Sequence, residues 1–424
     1  MVKLLLVKML RDMNRSKAVY IICVLVAVIG FSGYSLMSIA YGRLMTTRDA
    51  FFAATDFSEV FAAVRQAPLG LAAKLAAVPG VSQVEGRLTE TARVSSLGEE
   101  KTPDGAAELL LISIRPDGLN RPYLSAGSLP AAGRAQMVLG EGFAEAHGLK
   151  VGDSVSLIAD GRSMAFEICG LGISPENIYL LKNLADLLPD LSAYDGAFLD
   201  YGTLAAFLSK EGAANNFAFT LQPGVAPGDV KAAIENILDP YVCQRVYDRT
   251  EHVSTSMLQA ELDQLKRMAG VIPFLFLLVA AVILYISLFR LVEQQRSQIG
   301  TMLALGFSHR AAGLHYASFG ACAGFAGGVG GGLIGIASAV PIWEYYLTFF
   351  RMPRLGEGFA ADYPYLFSSA AAGTVFCALI GWLAARGLTR LQPADALRPA
   401  APSNGRAAPL EKLPFVRAIL TLPG

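Results

Sequence analysis

The chain has 424 residues, of which 53% are hydrophobic and only 17% are charged, and its formal net charge is zero. Average soluble domains carry about 25% charged residues. The composition therefore argues against a single soluble domain and points to membrane segments.

Four uncharged runs are long enough to cross a bilayer, because a spanning helix needs roughly 20 apolar residues. They lie at 18–40, 269–289, 317–342 and 365–385. The first run is longer than the roughly 7–15 apolar residues of a signal peptide, so we interpret it as an uncleaved anchor.

Charge predicts how these spans are oriented. The segments 1–17, 290–310 and 386–424 together carry 14 basic and 4 acidic residues, whereas 42–267 carries 19 basic and 28 acidic residues. Because basic segments stay in the cytoplasm, both termini are predicted to be cytoplasmic and the large domain extracytoplasmic.

In chain order, the predicted fold is membrane α-helical in a one-plus-three arrangement, with a mixed α+β extracytoplasmic domain. Its segments are a cytoplasmic amphipathic helix (1–17), a first span (18–41), the outer domain (42–267) ending in an amphipathic stalk helix (254–268), a second span (269–290), a cytoplasmic coupling segment (291–312), a third span (313–342), an outer loop (343–364), a fourth span (365–386) and a cytoplasmic tail or linker (387–424). Only Pro273 interrupts the helical pattern after the stalk, so we expect one helix from 254 to 305.

The outer domain combines helical and strand patterns. A helix at 69–77 precedes a strand, a hairpin at 155–169 turns at Asp160-Gly161, and a strand at 216–221 precedes a helix at 226–238. Strand and helix units thus flank a β-rich centre, which predicts a fold with a central insertion. Cys169 and Cys243 lie where a disulfide is permitted, although their spacing does not require one.

Motifs that would support catalysis are missing from the sequence. It contains no GxxxxGK[ST], HExxH, GxSxG or CxxC pattern, and the four apolar runs contain no charge. Uncharged spans argue against an ion-driven carrier. We therefore predict no catalytic residue, no cofactor and no metal site.

Two rows of glycine mark the third span. They are Gly320, Gly324, Gly328 and Gly332, and beside them Gly327, Gly331 and Gly335. Small residues at such spacing let membrane helices approach closely. Packing within one chain and a dimer seam are both open at this stage.

The segment between the second and third spans is expected to turn at Gly306, after which Ser308 caps the next helix. Its apolar side chains should form an exposed patch beside charges, namely Ile299, Met302, Leu303 and Leu305. Such a patch suggests a protein partner, or contact with the membrane interface.

At these residues the sequence resembles the FtsX/MacB-like family of ABC transporter permeases. The pattern here is Arg-Ser-Gln-Ile-Gly-Thr-Met-Leu-Ala-Leu-Gly at 296–306, with Pro-Ala-Asp-Ala-Leu-Arg at 393–398. The outer domain adds Gly-Leu-Lys-Val-Gly-Asp at 148–153 and Val-Pro-Gly-Val at 78–81. Gln298 stands where the family usually has an acidic residue, and the segments 174–179 and 410–415 resemble larger members that carry a second permease half.

The resemblance implies a non-enzymatic permease that pairs with a separate cytoplasmic ATPase and with a second permease subunit or half. It would transmit ATPase motion to the outer domain, in a bacterial inner membrane, to export or extract a lipid, lipoprotein or other amphiphile. An extracytoplasmic adaptor or substrate protein is a further expected partner, and nucleic acid is not. The ATPase contact is expected at Arg296, Ile299, Gly300, Leu303 and Gly306, and helix packing at Gly320, Gly324, Gly328 and Gly332. The alternative is an FtsX-like regulatory protein that controls an extracytoplasmic partner without moving cargo.

Overall fold

The computed structural model describes residues 11, 17–98, 100–101, 107–183, 186, 188–356 and 362–386. The predicted amphipathic helix at 1–17 lies almost entirely outside the described residues, and the tail at 387–424 lies wholly outside them. The chain forms two compact units, here called the membrane unit (up to Gly33, Ile272–Leu333 and from Leu366) and the β unit (Tyr34–Val271 and Ile334–Tyr365).

Helices and strands are numbered here in chain order. The helices are α1 (Lys17–Ala54), α2 (Leu71–Ala76), α3 (Glu141–His147), α4 (Tyr201–Leu208), α5 (Pro227–Leu238), α6 (Val253–Gln294), α7 (Arg296–Ala304), α8 (His309–Phe349) and α9 (Tyr363–Arg386). The strands are β1 (Val60–Pro68), β2 (Val81–Arg87), β3 (Thr89–Leu97), β4 (Glu100–Lys101), β5 (Glu108–Ile114), β6 (Tyr123–Gly127), β7 (Gln136–Gly140), β8 (Ser154–Ala159), β9 (Arg162–Ile173), β10 (Tyr194–Asp200), β11 (Ala213–Leu221) and β12 (Cys243–Asp248).

Four of the described helices, α1, α6, α8 and α9, are long and apolar enough to cross a membrane. In the membrane unit they leave large apolar side chains uncovered. Phe274, Leu278 and Phe367 are 64%, 52% and 71% exposed. A water-soluble protein rarely leaves so much contiguous apolar surface uncovered, whereas lipid covers it without cost. The predicted fold class is confirmed.

The helix expected to run unbroken from 254 to 305 ends early, so that prediction is wrong at its far end. α6 continues through Pro273 but stops at Gln294, and α7 begins at Arg296. Between them Gln295 leaves the helical conformation. Its buried side chain accepts a hydrogen bond from the Tyr316 hydroxyl at 2.9 Å. The buried amide oxygen at the break is therefore hydrogen-bonded.

The first part of the β unit is a four-stranded antiparallel sheet in the order β12-β1-β11-β2. Helix α2 connects β1 to β2, and α5 connects β11 to β12. This is the β-α-β-β-α-β arrangement of ferredoxin-like folds. The whole stretch from β3 to β10 is inserted between β2 and β11, as the predicted central insertion requires.

The insertion is a barrel, which the sequence did not reveal. Six strands pair in a closed ring in the order β3-β5-β10-β7-β9-β8, while β4 and β6 are appended to β3 and β9. Its interior is filled by fully buried side chains, among them Leu111, Met137, Phe166 and Leu199. Ring closure removes most exposed sheet edges. The hairpin predicted at Asp160-Gly161 is confirmed as β8 and β9.

Two helices extend further than predicted and pack with the start of α6 within the β unit. α1 continues past 41 to Ala54, and α8 continues past 342 to Phe349, which shortens the predicted loop at 343–364. Their ends join the start of α6 in one buried cluster that includes Phe51, Leu262 and Leu347. The predicted stalk is therefore one of three packed helices. Cys169 and Cys243 are free thiols.

Candidate functional site

The segment between α6 and α8 forms a short two-faced helix in the membrane unit. On the inner face of α7, Ile299 and Leu303 are 1% and 9% exposed, and they pack against Val292, Tyr316 and Ala385. On the other face, Gln298 and neighbouring polar side chains are exposed. The helix is thus held in place by its apolar face and presents a polar face outward.

The predicted exposed patch is therefore wrong for two of its four members. Ile299 and Leu303 are covered by helices of their own unit, because α9 and α8 pass close enough to bury them. Met302 is half-buried. The exposed apolar side chains here are Leu305, at 74%, and Leu314 in α8, at 71%.

Gly306 ends α7 in a Schellman motif. Its φ of +89° lies in the left-handed region, where glycine carries no steric penalty. Its N–H donates to the Leu303 carbonyl at 3.1 Å, and the N–H of Phe307 donates to the Met302 carbonyl at 3.1 Å. Ser308 then accepts a hydrogen bond from the N–H of Ala311 at 3.2 Å. The predicted turn and cap are both confirmed.

The first glycine row of α8 faces α9. A Cβ on Gly320 would collide with the Cys377 carbonyl, one on Gly324 with the Gly373 carbonyl, and one on Gly328 with the Ser369 carbonyl. Gly332 lies against the side chains of Leu366 and Ser369. The backbones of the two helices are therefore in direct contact along this row.

The second glycine row of α8 faces α1. A Cβ on Gly327 would collide with that of Ala27, and one on Gly331 would lie 2.8 Å from Phe31 Cβ and from the Ser32 nitrogen. Six of the seven glycines are thus packed against other helices of the same chain. A dimer seam built on these glycines is incompatible with this packing, because the faces are already covered.

A second cluster, here called the buried junction, lies in the β unit and consists of Arg87, Asn120, Glu176, Asn216 and Ser254. The Arg87 guanidinium is fully buried and holds both Glu176 oxygens, with Nη1–Oε1 at 2.5 Å and Nη2–Oε2 at 3.1 Å. It also donates to Asn216 Oδ1 at 2.7 and 3.2 Å. Asn120 donates to Glu176 Oε1 at 2.9 Å. The buried ions are therefore paired and hydrogen-bonded.

The start of α6 is tied to the same residue. Ser254, in the first turn of α6, donates from its hydroxyl to the Glu176 backbone carbonyl at 2.6 Å. The N–H of Tyr179 donates to the same hydroxyl at 3.3 Å. Glu176 lies in a single 3-10 turn, Pro175–Asn177, that follows β9 of the barrel.

Burial and charge act in opposite directions on these groups. Burial acts to raise the pKa of Glu176, but the charge and hydrogen bonds of Arg87, together with His252 and Asn120, lower it below its ordinary value. Glu85, on the same strand as Arg87, has its pKa raised by burial despite a hydrogen bond from the N–H of Leu119. Burial also lowers the pKa of His252, whose ring packs against Phe61. The positive charge of Arg87 thus opposes the effect of burial on both carboxylates, Glu176 and Glu85.

The sequence profile of the MacB-like periplasmic core domain matches residues 20–237, which is half of the chain. That of the FtsX-like permease C-terminal domain matches residues 270–393. The chain belongs to the FtsX/MacB-like permease family. Members of this family are permease components of ABC transporters, and four membrane-capable helices in such a permease indicate a bacterial inner-membrane protein.

Three solved structures similar to parts of this permease are a periplasmic region, a permease domain and an extracellular domain. The periplasmic region of MacB from Actinobacillus actinomycetemcomitans is 12% identical, with a TM-score of 0.33 over 50% of this chain and 95% of that one. A permease domain from Porphyromonas gingivalis is 16% identical, with a TM-score of 0.29 over 44% and 81%. The extracellular domain of the ABC-type transporter YknZ from Gram-positive bacteria is 12% identical, with a TM-score of 0.29 over 45% and 98%. No curated protein sequence matches the chain.

Sequence reasoning missed the buried junction of this permease. Arg87 ends a strand and Glu176 lies in a turn, so their 89-residue separation gives no periodic signal. The available hint was the stretch 174–179, noted only for its resemblance to larger members. Among the described residues, no group of three or more His, Cys, Asp and Glu side chains is placed to hold a metal ion.

Proposed function

We propose that the chain is the membrane subunit of an ABC transporter in which a separate cytoplasmic ATPase drives an extracytoplasmic domain by mechanical transmission. The observation that carries the proposal is α7, a two-faced helix anchored by Ile299 and Leu303 on the loop between two membrane helices. A helix fixed on one side and exposed on the other is suited to receive a partner's motion. Its buried residues position the segment, while its exposed face makes the contact.

The dimensions of α6 support transmission. Its 42 residues correspond to about 63 Å at 1.5 Å per residue, which is twice the roughly 30 Å of a bilayer core. Its first turn hydrogen-bonds to the β unit through Ser254, and its last residue precedes α7. One helix therefore joins the working domain to the ATPase contact, apart from the single break at Gln295.

The packing of α8 favours work at the membrane surface over transport through a pore. Its glycine rows bring α1, α8 and α9 into backbone contact, and the membrane-spanning runs contain no charge. These runs offer no ionisable side chain of the kind that marks an ion pathway through a membrane. We therefore propose that the cargo is a lipid, lipoprotein or other amphiphile taken from the outer face.

Orientation is the first testable consequence. In cells producing a variant without native cysteines, Lys150→Cys on the exposed barrel surface should react with a membrane-impermeant maleimide from outside. Gln298→Cys on the exposed face of α7 should react only after the membrane is permeabilised. Equal labelling of both positions in intact cells would contradict the proposed topology.

The ATPase contact gives a second testable consequence. Leu305→Asp should weaken ATPase binding by roughly thirtyfold, because an exposed apolar side chain is converted into a desolvated charge at the interface. The measurement is ATP hydrolysis by the partner as a function of permease concentration in nanodiscs. Leu188→Asp is the matched control, since Leu188 is 64% exposed in the β unit. If both variants stimulate hydrolysis equally, the contact does not involve Leu305.

A further inference from the structure

We propose that the buried junction is the joint that holds α6 at a fixed angle to both parts of the β unit, with Glu176 and Ser254 as its positioning residues. The inference rests on the proposed function, because it identifies where α6 is attached to the β unit that it would move. It assigns a mechanical role to a polar cluster of the β unit that the proposed ATPase contact does not include.

The five residues of the buried junction come from three different parts of the β unit. Arg87 and Asn216 belong to the ferredoxin-like sheet, on β2 and β11. Glu176 lies in the turn that follows the barrel strand β9, and Asn120 lies in the connection that leads into β6, the strand appended to β9. Ser254 belongs to α6. The junction is thus the place where the sheet, the barrel and the helix are bonded to one residue, Glu176.

The second argument is the type of bond. A bidentate guanidinium–carboxylate pair fixes both distance and orientation, whereas apolar side chains can slide over one another. Replacing a buried ion pair by apolar groups often leaves stability unchanged, so stability alone does not account for this arrangement. Asn120 strengthens the directional character, because its Oδ1 also accepts a hydrogen bond from the N–H of Ser58 at 2.6 Å.

The third argument comes from two neighbouring serines of α6. The Ser254 side chain is almost fully buried and bonds outside its helix, to Glu176 and Tyr179. Ser256 bonds only within the helix, to the Val253 carbonyl at 2.9 Å. Ser254→Ala therefore removes a hydrogen bond between α6 and another element. Ser256→Ala also removes a serine hydroxyl, but one that bonds within α6.

The test uses the full chain in nanodiscs with its ATPase. Spin labels are placed on α6 at Met257→Cys and on the barrel at Lys150→Cys, both exposed, in a background without native cysteines. The distance distribution is measured without nucleotide and during ATP turnover. We expect one narrow distance distribution in the parent and in Ser256→Ala under both conditions. In Ser254→Ala and Glu176→Gln we expect a broader distribution, and the broadening should be greater during ATP turnover than without nucleotide.

Broadening that increases during ATP turnover indicates that the buried junction bears force from α6. If the junction only stabilised the fold, its loss would broaden the distance distribution equally in both conditions. The proposal is overturned if Ser254→Ala is as narrow as Ser256→Ala throughout, or if its broadening is independent of ATP. Failure of the proposed function has a different signature, namely no stimulation of hydrolysis by the parent. In that case the nucleotide-free comparison of the two serine variants decides whether the joint exists.

Discussion

Gly324→Leu should remove most of the folded protein from the membrane. Gly324 and Gly373 touch backbone to backbone, and a Cβ at either position would collide with the other's carbonyl. Each carbon forced into a packed contact costs about 1–3 kcal/mol, and the carbonyl cannot rotate away as a side chain would. The measurement is the amount of monodisperse protein recovered from membranes, together with its thermal unfolding in nanodiscs.

Alanine variants give the controlled comparison. Alanine is intrinsically better than glycine in a helix by about 1 kcal/mol, so any loss of stability must come from packing. Gly324→Ala should destabilise, whereas Gly313→Ala, whose Cβ would lie at an ordinary 3.6 Å from the Trp382 ring, should be neutral or stabilising. Equal thermal stability of the two variants would show that α8 and α9 do not meet at Gly324.

Arg87→Met should cost about 3–5 kcal/mol at neutral pH, because it leaves the Glu176 and Glu85 carboxylates buried without their cation. Hydrogen exchange of the full chain should then accelerate in β2 and β11, the strands that flank the junction. Arg65→Met, on strand β1 of the same sheet, is the matched control. Since the Arg65 side chain is exposed, its loss should change stability by less than about 0.5 kcal/mol.

The penalty of Arg87→Met should depend on pH in a defined direction. Arg87 holds the pKa of Glu176 below its ordinary value of 4.5, so the pair's contribution is complete above that pH. As the pH falls below about 4.5 the contribution is lost, and the difference between parent and variant should shrink. A difference that stays constant or grows between pH 7 and pH 4 would contradict the role given to the ion pair.

Local chemistry made much of the fold predictable. The four spans follow from uncharged runs, and the turn at Gly306 and the cap at Ser308 follow from residue types that suit those backbone positions. The strand before α5 and the hairpin at Asp160-Gly161 likewise depend on short-range pattern. These features are decided within a few residues of one another, so a single sequence is enough to see them.

What the sequence could not show depends on distant partners. Ile299 and Leu303 are apolar residues on a short polar segment, a pattern that predicts exposure. They are buried because α8 and α9 pack against them. The barrel closes through β3 and β8, which are about 60 residues apart, and the junction joins Arg87 to a turn 89 residues later. The helix break at Gln295 coincides with a buried hydrogen bond from Tyr316, 21 residues later in the chain. Tertiary contacts override local preference at each of these places.

Coupling to a separate ATPase is the central claim, and reconstitution tests it most directly. The full chain is purified with a candidate ABC ATPase from the same organism, placed in nanodiscs, and assayed for co-elution and ATP hydrolysis. The account predicts a stable complex that hydrolyses ATP faster than the ATPase alone, with the gain lost in Leu305→Asp and kept in Leu188→Asp. An ATPase that neither co-elutes with the chain nor changes its rate of hydrolysis in the chain's presence would contradict it.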